Sequence, residues 1–420
     1  MEDGILKAGH AESRWADGRE GAGGGEKSVR GMRSKGVSYA RHMTLTDEQR
    51  AFVEAIRDFA KRECGTREQR DALTDHGNDP HNQELYERIA ALGWLGASIP
   101  EQYGGSGGGA VDMCLLCEEF ARGMIPMGFY SVSMITAGAY ERFGTEDQKQ
   151  EILGGIVAGA VEAIAMSEPD SGSDVGSLVC RAERENGEYV INGQKTWITG
   201  AHKAKHILLV CRTHRGEDKH QGLSMVSVPT DVEGLEVRGI DTMGGREVND
   251  VFFTDCRVPA ERLLGEQDHG WRQLMAGLNY ERLIIAAQLL GTAERAFEDT
   301  IAYVKERKQF GRPIGTFQAL RHRLADLATE IETARLLVYD VAAKTDADPA
   351  RLLPREASMA KLKATETAKR TALEGMQMMG GYGYANEYDM QHHVRVALAA
   401  TIYGGTSEIQ RDIIAKTYGL

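Results

Sequence analysis

AMSEPDSGSDVGSLVCRAERENGEYVINGQKTWITGA, residues 165–201, is the stretch on which the reading of this chain turns. An apolar run, Ala163-Ile164-Ala165-Met166, breaks into Ser167-Glu168-Pro169-Asp170-Ser171-Gly172-Ser173-Asp174. Proline lacks a backbone donor and small polar residues favour turns, so this is a loop rich in free N–H and hydroxyl groups. Glu188 to Thr199 then reads as two β-type runs around an Asn192-Gly193 turn. Taken alone, these residues describe a surface hairpin of a β domain. The same loop of donors beside an exposed Trp197-Ile198-Thr199 also suits a flat, phosphate-bearing molecule.

Outward from that stretch, the composition narrows the possibilities. The chain has 420 residues, enough for two or three domains with a large core. Hydrophobic residues make up 42% and charged residues 27%, as in ordinary globular proteins. Fifty basic against 62 acidic residues leave a formal charge of −12, which argues against nucleic acid as the main partner. The apolar run Leu283–Leu290 is interrupted by Gln288 and is far too short to span a bilayer. Six cysteines are scattered along the chain and form no disulfide framework. Cys114 and Cys117 have no second pair to complete a metal site and read as buried helix thiols.

In chain order, residues 1–42 are rich in glycine, mixed in charge and without apolar periodicity, a disordered leader. Their six acidic residues are unlike a mitochondrial presequence, and Met43 reads as the natural first residue. Order is expected immediately after it. Thr46-Asp47-Glu48-Gln49 has capping-box spacing, followed by a helical stripe of Phe52, Val53, Ile56, Phe59 and Ala60. Helices are also expected over Gln83–Leu92, Val111–Arg122 and Gln148–Ala158, with Gly104–Gly109 a flexible connection. Residues 161–268 alternate as strands do, notably at His206–Cys211, Ser224–Val228 and Val251–Phe253. Four helices are expected thereafter, over 280–308, 316–344, 354–379 and 406–417, each with a stripe wide enough to bury in a bundle.

With that order of segments in view, the Ser167-Glu168-Pro169 loop and the Trp197-Ile198-Thr199 strand closely resemble those that cover the flavin in the acyl-CoA dehydrogenase family. The resemblance extends from Met43 to Leu420. It implies an α+β fold in three parts: an N-terminal helical domain over 43–160, a barrel-like β-sheet domain over 161–268 and a C-terminal four-helix bundle over 269–420. It also implies FAD as cofactor. The matching flavin positions are Ile164, Ala165, Met166, Ser167, Gly172 and Ser173, with Trp197, Ile198 and Thr199. Arg307 and Phe310 in the segment Arg307-Lys308-Gln309-Phe310-Gly311 match further ones, Arg307 at the pyrophosphate. So do Gln318, Gln377, Gly380 and Gly381, which in this family often reach across a subunit interface, and Thr406, Ser407 and Glu408 at the start of the last helix. That helix start is expected to cradle an anion on its N–H groups. Each of these residues also has a purely structural reading: Arg307 as a helix-end cation, Gly380-Gly381 as a helix stop, Thr406 as an N-cap. Their joint order and spacing favour the cofactor.

Desaturating an acyl thioester requires a base for the α proton and an acceptor for hydride from the β carbon; the resemblance makes flavin N5 the acceptor. Many family members carry the base as the first residue of a Glu-Gly-Thr segment before the final helix. Here that segment reads Ile402-Tyr403-Gly404-Gly405-Thr406-Ser407, so the slot holds Gly404 and no carboxylate. Long-chain and isovaleryl-CoA dehydrogenases instead place a glutamate at an earlier helix start, and Asn279-Tyr280-Glu281-Arg282-Leu283 resembles that arrangement. Glu281 is thereby implied as the base. The residues alone admit a plainer reading, an acid in a helix's first turn behind an Asn cap. Ser173, Asn279, Tyr280, Arg282, Gly404 and Gly405 fall where the family contacts the CoA ester. Gly405 is expected to offer an N–H to the thioester oxygen, and Gly404 to leave room for a longer or branched acyl chain.

The implied partners are an acyl-CoA substrate and an electron-transfer flavoprotein, and the implied assembly is a homotetramer. The implied compartment is the cytoplasm of a bacterium or the mitochondrial matrix of a eukaryote. A same-fold flavin oxidase or monooxygenase, and a subunit that pairs with a homologue, are the alternatives.

Overall fold

A computed structural model describes residues 45–420. The leader read over residues 1–42, and Met43 as first residue, lie outside the described residues.

Six helices come first: α1 (Asp47–Cys64), α2 (Arg67–Leu73), α3 (Gln83–Ala91), α4 (Ala110–Arg122), α5 (Tyr130–Phe143) and α6 (Glu146–Val157). The stripe of α1 buries Val53, Ile56, Phe59, Ala60 and Cys64, at three- and four-residue spacing. Thr145 caps α6 in a box with Gln148. Cys114 and Cys117 are buried on α4. The glycine run before α4 is not a flexible connection. Ser106, Gly107 and Gly108 donate their N–H groups to the carbonyls of Gly96, Ile99 and Ala97, each at 2.9 Å. Glycine is there because the loop is tightly folded back on its own approach.

The sheet follows: β1 (Glu162–Ala165), β2 (Arg181–Glu185), β3 (Glu188–Thr199), β4 (His206–Arg212), β5 (Leu223–Pro229), β6 (Leu235–Gly239), β7 (Val248–Pro259) and β8 (Leu263–Leu264). Strands run in the order β6-β7-β3-β2-β4-β5-β8, with β1 beside β4. Residues Ile207–Cys211 of β4 are all buried, which their unbroken apolar run demands of a central strand. The expected hairpin at Asn192-Gly193 is not formed, and β3 passes straight through that pair. The turn is made by the preceding Asn-Gly, Asn186-Gly187, with φ of 49° and 88° and Glu185 opposite Glu188. Two positive φ values suit a tight two-residue hairpin. Gly193 instead marks a bulge, where a side chain would strike the Cys180 backbone at 2.8 Å.

The second helical region holds α7 (Gly270–Glu306), a small ribbon of β9 (Lys308–Gln309) and β10 (Arg312–Pro313), then α8 (Gln318–Ala347), α9 (Pro354–Met379), α10 (Gly381–Tyr384), α11 (Met390–Ala400) and α12 (Ser407–Lys416). Helix α7 is a single helix of 37 residues, beginning ten residues earlier than expected. Asn279 is therefore no cap, and Glu281 sits mid-helix, beyond the help of the helix dipole. Helix α9 packs along α7, and its Ala357, Ala360, Ala364, Ala368 and Ala372 are all fully buried. Such small side chains suit close packing of α9 within the bundle.

Helices α4, α7 and α8 are tied by a buried charge cluster. Arg335 of α8 lies between Glu118 of α4 and Glu294 of α7, and Tyr339 donates to Glu118. Burial and the neighbouring Glu118 push the Glu294 carboxyl upward, against the pull of Arg335. Removing the cation strands two carboxylates. Arg335→Leu should cost about 3–5 kcal/mol, read as a lower thermal midpoint. The Glu294 carboxyl, pushed up to about 8, binds a proton more readily folded than unfolded, so the loss should narrow as pH falls from about 8 to about 5.

Candidate active site

On the β-domain side, the polar loop is held by a buried ion pair. Glu168 accepts from the N–H groups of Val179 (2.7 Å) and Cys180 (2.8 Å) and from Lys195 Nζ (2.9 Å). Lys195 is fully buried and also donates to the Met166 carbonyl at 2.8 Å. One ammonium thus fixes both the loop and the strand that leads into it. Thr196 N–H bonds to the Ser167 carbonyl at 3.0 Å, bringing β3 alongside. There β3 bulges between Lys195 and Ile198, and Trp197 takes a left-handed φ of 63°. The bulge turns its indole outward, 59% exposed. Ala165 and Ile198 point into the core, so they can meet a ligand only through their main chain, whereas Gly172 and Ser173 are exposed.

The second group gathers where α7 passes the turn before α12. Glu281 and Arg282 are both buried, and Arg282 Nη1 donates to Asn279 Oδ1 at 3.2 Å. Tyr280 shares a hydrogen bond of 3.2 Å with Ser98. A Cβ placed on Gly404 would stand 3.4 Å from Glu281 Oε1, so the carboxylate and the empty slot face one another. Burial raises the Glu281 carboxyl above its usual range, opposed by the charges of Arg282 and Lys361, and its Oε2 has no hydrogen-bond partner. The space beside Gly404 is not open as expected. That same Cβ would meet Ile285 Cδ1 at 2.4 Å, one turn along α7 from Glu281. Gly404 and Gly405 have φ of 63° and 82°, conformations a side chain would strain. Gln410 Nε2 donates to both their carbonyls, and Lys361 Nζ donates to Gly405 at 2.8 Å. The N–H groups of Gly404 and Gly405 find no partner among the described residues.

A third group lies at the other end of α7 and α9. Arg307 stacks on Tyr382 at 5.5 Å and makes no ion pair among the described residues. Phe310 meets Phe317 edge-on yet remains 93% exposed, and Gln318, Gln377, Gly380 and Gly381 are exposed as well. The expected anion cradle at α12 is not borne by the structure. Ser407 N–H goes to the Thr401 carbonyl, Ile409 N–H to Thr406 Oγ1, and the Ser407 hydroxyl to Glu366. Glu408 is exposed, its carboxyl lowered by its own N–H and by Thr406. These donors are satisfied internally, and Thr406 is an N-cap.

The sequence matches the acyl-CoA dehydrogenase N-terminal domain over residues 46–160, the middle domain over 163–256 and the C-terminal domain over 268–419. The chain belongs to the acyl-CoA dehydrogenase family. It is 38% identical to YngJ of Bacillus subtilis, a probable acyl-CoA dehydrogenase, over 89% of this chain and 98% of that one. It is 32% identical to the mitochondrial isovaleryl-CoA dehydrogenase of Solanum tuberosum, over 90% of this chain and 92% of that one. The structure of an acyl-CoA dehydrogenase from Geobacillus kaustophilus superposes with a TM-score of 0.84 at 33% identity, covering 90% of this chain and 99% of that one. The family is one of flavin-dependent oxidoreductases acting on the CH–CH group of acyl-CoA.

The residues present fit the flavin of an acyl-CoA dehydrogenase. An added Cβ at Gly172, Gly380 or Gly381 would meet no atom within 4 Å, so backbone is open to a ligand at all three. Trp197 offers an outward indole, and Arg307 an exposed guanidinium free of carboxylates. Five residues at the site escaped the sequence reading. Lys195 and Lys361 bind main-chain carbonyls, which leave no mark on a sequence; Gln410 and Ile285 act only through the turn at Gly404. Glu247 was overlooked as well, its carboxyl pushed up to about 7 by burial on the approach to Tyr403. Arg307→Ala tests the expected contact with the flavin's phosphates: it removes no core volume, so the chain should keep its fold and lose flavin. Flavin content after dialysis should fall while far-UV circular dichroism holds. Loss of both together would make Arg307 a structural residue.

Proposed function

We propose that this chain is an FAD-dependent dehydrogenase that desaturates an acyl-CoA thioester to the trans-2-enoyl-CoA, with Glu281 taking the α proton. The observation that carries the reading is the buried Glu281 carboxylate, facing Gly404 and with one oxygen unbonded. Desolvation raises its affinity for a proton, as a base for a weak carbon acid requires, while Arg282 and Lys361 favour its ionised form. The free N–H of Gly405 would donate to the thioester oxygen and stabilise the charge that grows there as the α proton leaves. Asn279, Tyr280, Arg282, Ser173 and Gly404 would line the CoA ester. Ile285 fills the space at Gly404 and would set the width available to the acyl chain near its α carbon.

Ile164–Ser167, Gly172, Ser173 and Trp197–Thr199 would hold FAD at its ring, and Arg307 its phosphates. FAD, when bound, supplies the acceptor for the β hydride. The exposed Tyr382 and Tyr384, which follow Gln377–Gly381 directly, suit a homotetramer in which this segment completes a neighbour's site. Electrons would pass on to an electron-transfer flavoprotein. Among the described residues, no helix is long and apolar enough to cross a membrane.

Anaerobic mixing with straight, branched and aromatic acyl-CoAs tests the reading, because a matching substrate bleaches the flavin. Fast reoxidation of the bleached protein by oxygen would instead indicate an oxidase or monooxygenase. Glu281→Gln should retain FAD and lose ~10²–10⁴-fold in flavin reduction rate. A base acts only when ionised, so the wild-type rate should rise with pH through a limb lying above the ordinary carboxylate range. Unchanged turnover in Glu281→Gln would remove this glutamate from the mechanism and leave Glu387 and Glu408 to test. Moving the carboxylate to residue 404 in a Glu281→Ala background should restore rate only when Ile285→Ala makes room.

A further inference from the structure

We propose that Lys361 is a positioning residue for the base: from α9 it pins the Gly404-Gly405 turn against Glu281 and sets a positive charge beside that carboxylate. The inference rests on the assignment of Glu281 made above. Lys361 is fully buried, yet it has no carboxylate as a hydrogen-bonded partner. Its ammonium donates to two main-chain carbonyls, Ala400 at 2.9 Å and Gly405 at 2.8 Å, on either side of the turn. Glu281 stands against the same turn, its Oε1 3.4 Å from where a Cβ on Gly404 would be. Carbonyls solvate an ammonium without cancelling its charge, and in a dry interior an uncancelled charge acts on the nearest ionisable group.

The groups that meet there can be named element by element. Helix α7 contributes Glu281 and Arg282, α9 contributes Lys361 and Glu366, and α12 contributes Glu408. Glu366 is engaged by the Ser407 hydroxyl at 2.5 Å, and Glu408 is exposed to solvent. Arg282 is turned to Asn279. Glu281 is thus a buried carboxylate with an unbonded oxygen, and two buried cations without an ion pair among the described residues act on it, Arg282 from its own helix and Lys361 from α9 across the turn. Their effects are mutual. Burial draws Lys361 down to about 8 and Glu281 draws it back up, while Lys361 lowers Glu281.

A pin without an electrostatic role would affect rate but not the titration of Glu281. The infrared carbonyl stretch of protonated Glu281, identified as the band missing from Glu281→Gln, is followed against pH in the FAD-loaded protein without substrate. In Lys361→Met its midpoint should rise by about one pH unit, as loss of a nearby opposite charge requires. In Lys361→Arg, which keeps the charge, the midpoint should stay in place even if the larger head disturbs the turn. Should Lys361→Met not fold, Lys361→Gln keeps a donor for the carbonyls, removes the charge and should show the same rise. Stopped-flow reduction of the flavin by isovaleryl-CoA and butyryl-CoA should show the acid limb of the rate moving with the band. A midpoint in Lys361→Met or Lys361→Gln equal to the parent's overturns the proposal, whatever the rate. A rate indifferent to Glu281→Gln would instead strike the base assignment, leaving the coupling of the two groups to be read from the band.

Discussion

A buried ammonium cannot go without acceptors, and this structure turns that demand into precision at two places. Lys195 and Lys361 are both fully buried. Lys195 divides its protons between the Met166 carbonyl and the Glu168 carboxylate, and Lys361 gives its own to the carbonyls of Ala400 and Gly405, each holding a loop beside the candidate site. A long side chain held at both ends by packing and hydrogen bonds costs rotamer entropy and desolvation. In return the loop has one position only. The two halves of the site, one on the sheet and one on the bundle, are placed by the same device.

The sheet half adds a local distortion. A regular strand would alternate residues from Lys195 to Thr199 across two faces, but the bulge breaks that alternation. Ile198 is kept in the core while Trp197 is turned out at a left-handed φ that a bulky residue adopts only when its surroundings compel it. Pairing of Thr196 with Ser167 and of Asn249 with Ile198 supplies that compulsion. The bundle half works by regularity. Helix α7 is unbroken for 37 residues and packs along α9, which places Glu281 beside the turn before α12.

This arrangement bears on where a carboxylate can serve. Glu281 reaches the place beside Gly404 from a neighbouring helix, and Ile285 occupies what a side chain at Gly404 would need. The two attachment points are therefore exclusive in this packing, and the glycine and the isoleucine are a matched pair. A carboxylate in mid-helix gets nothing from the helix dipole, which leaves its protonation to burial and to the charges of Arg282 and Lys361.

What the sequence determined by itself is what local chemistry writes into it. Apolar periodicity of helix, strand and helix again gave the order of the parts, and Val53, Ile56, Phe59 and Ala60 of α1 read correctly because period and burial coincide. The Ser167-Glu168-Pro169 loop, Trp197-Ile198-Thr199 and the glycine at 404 with Glu281 upstream were legible as residues in order. Tertiary structure decided the rest. Two Asn-Gly pairs stand six residues apart, and only strand register chose Asn186-Gly187 for the turn and left Asn192-Gly193 in a bulge. Asn279 looked like a cap, but α7 starts at Gly270 and runs on through it, with Gln273 and Leu274 already buried before the buried stretch that begins at Glu281. The N–H groups at the start of α12 looked free, and the fold gave them to Thr401 and Thr406. Lys361 left no sign at all, since its acceptors are main-chain oxygens 39 and 44 residues away. Every residue offers the same carbonyl, so only the folded chain can say which ones a buried lysine will find.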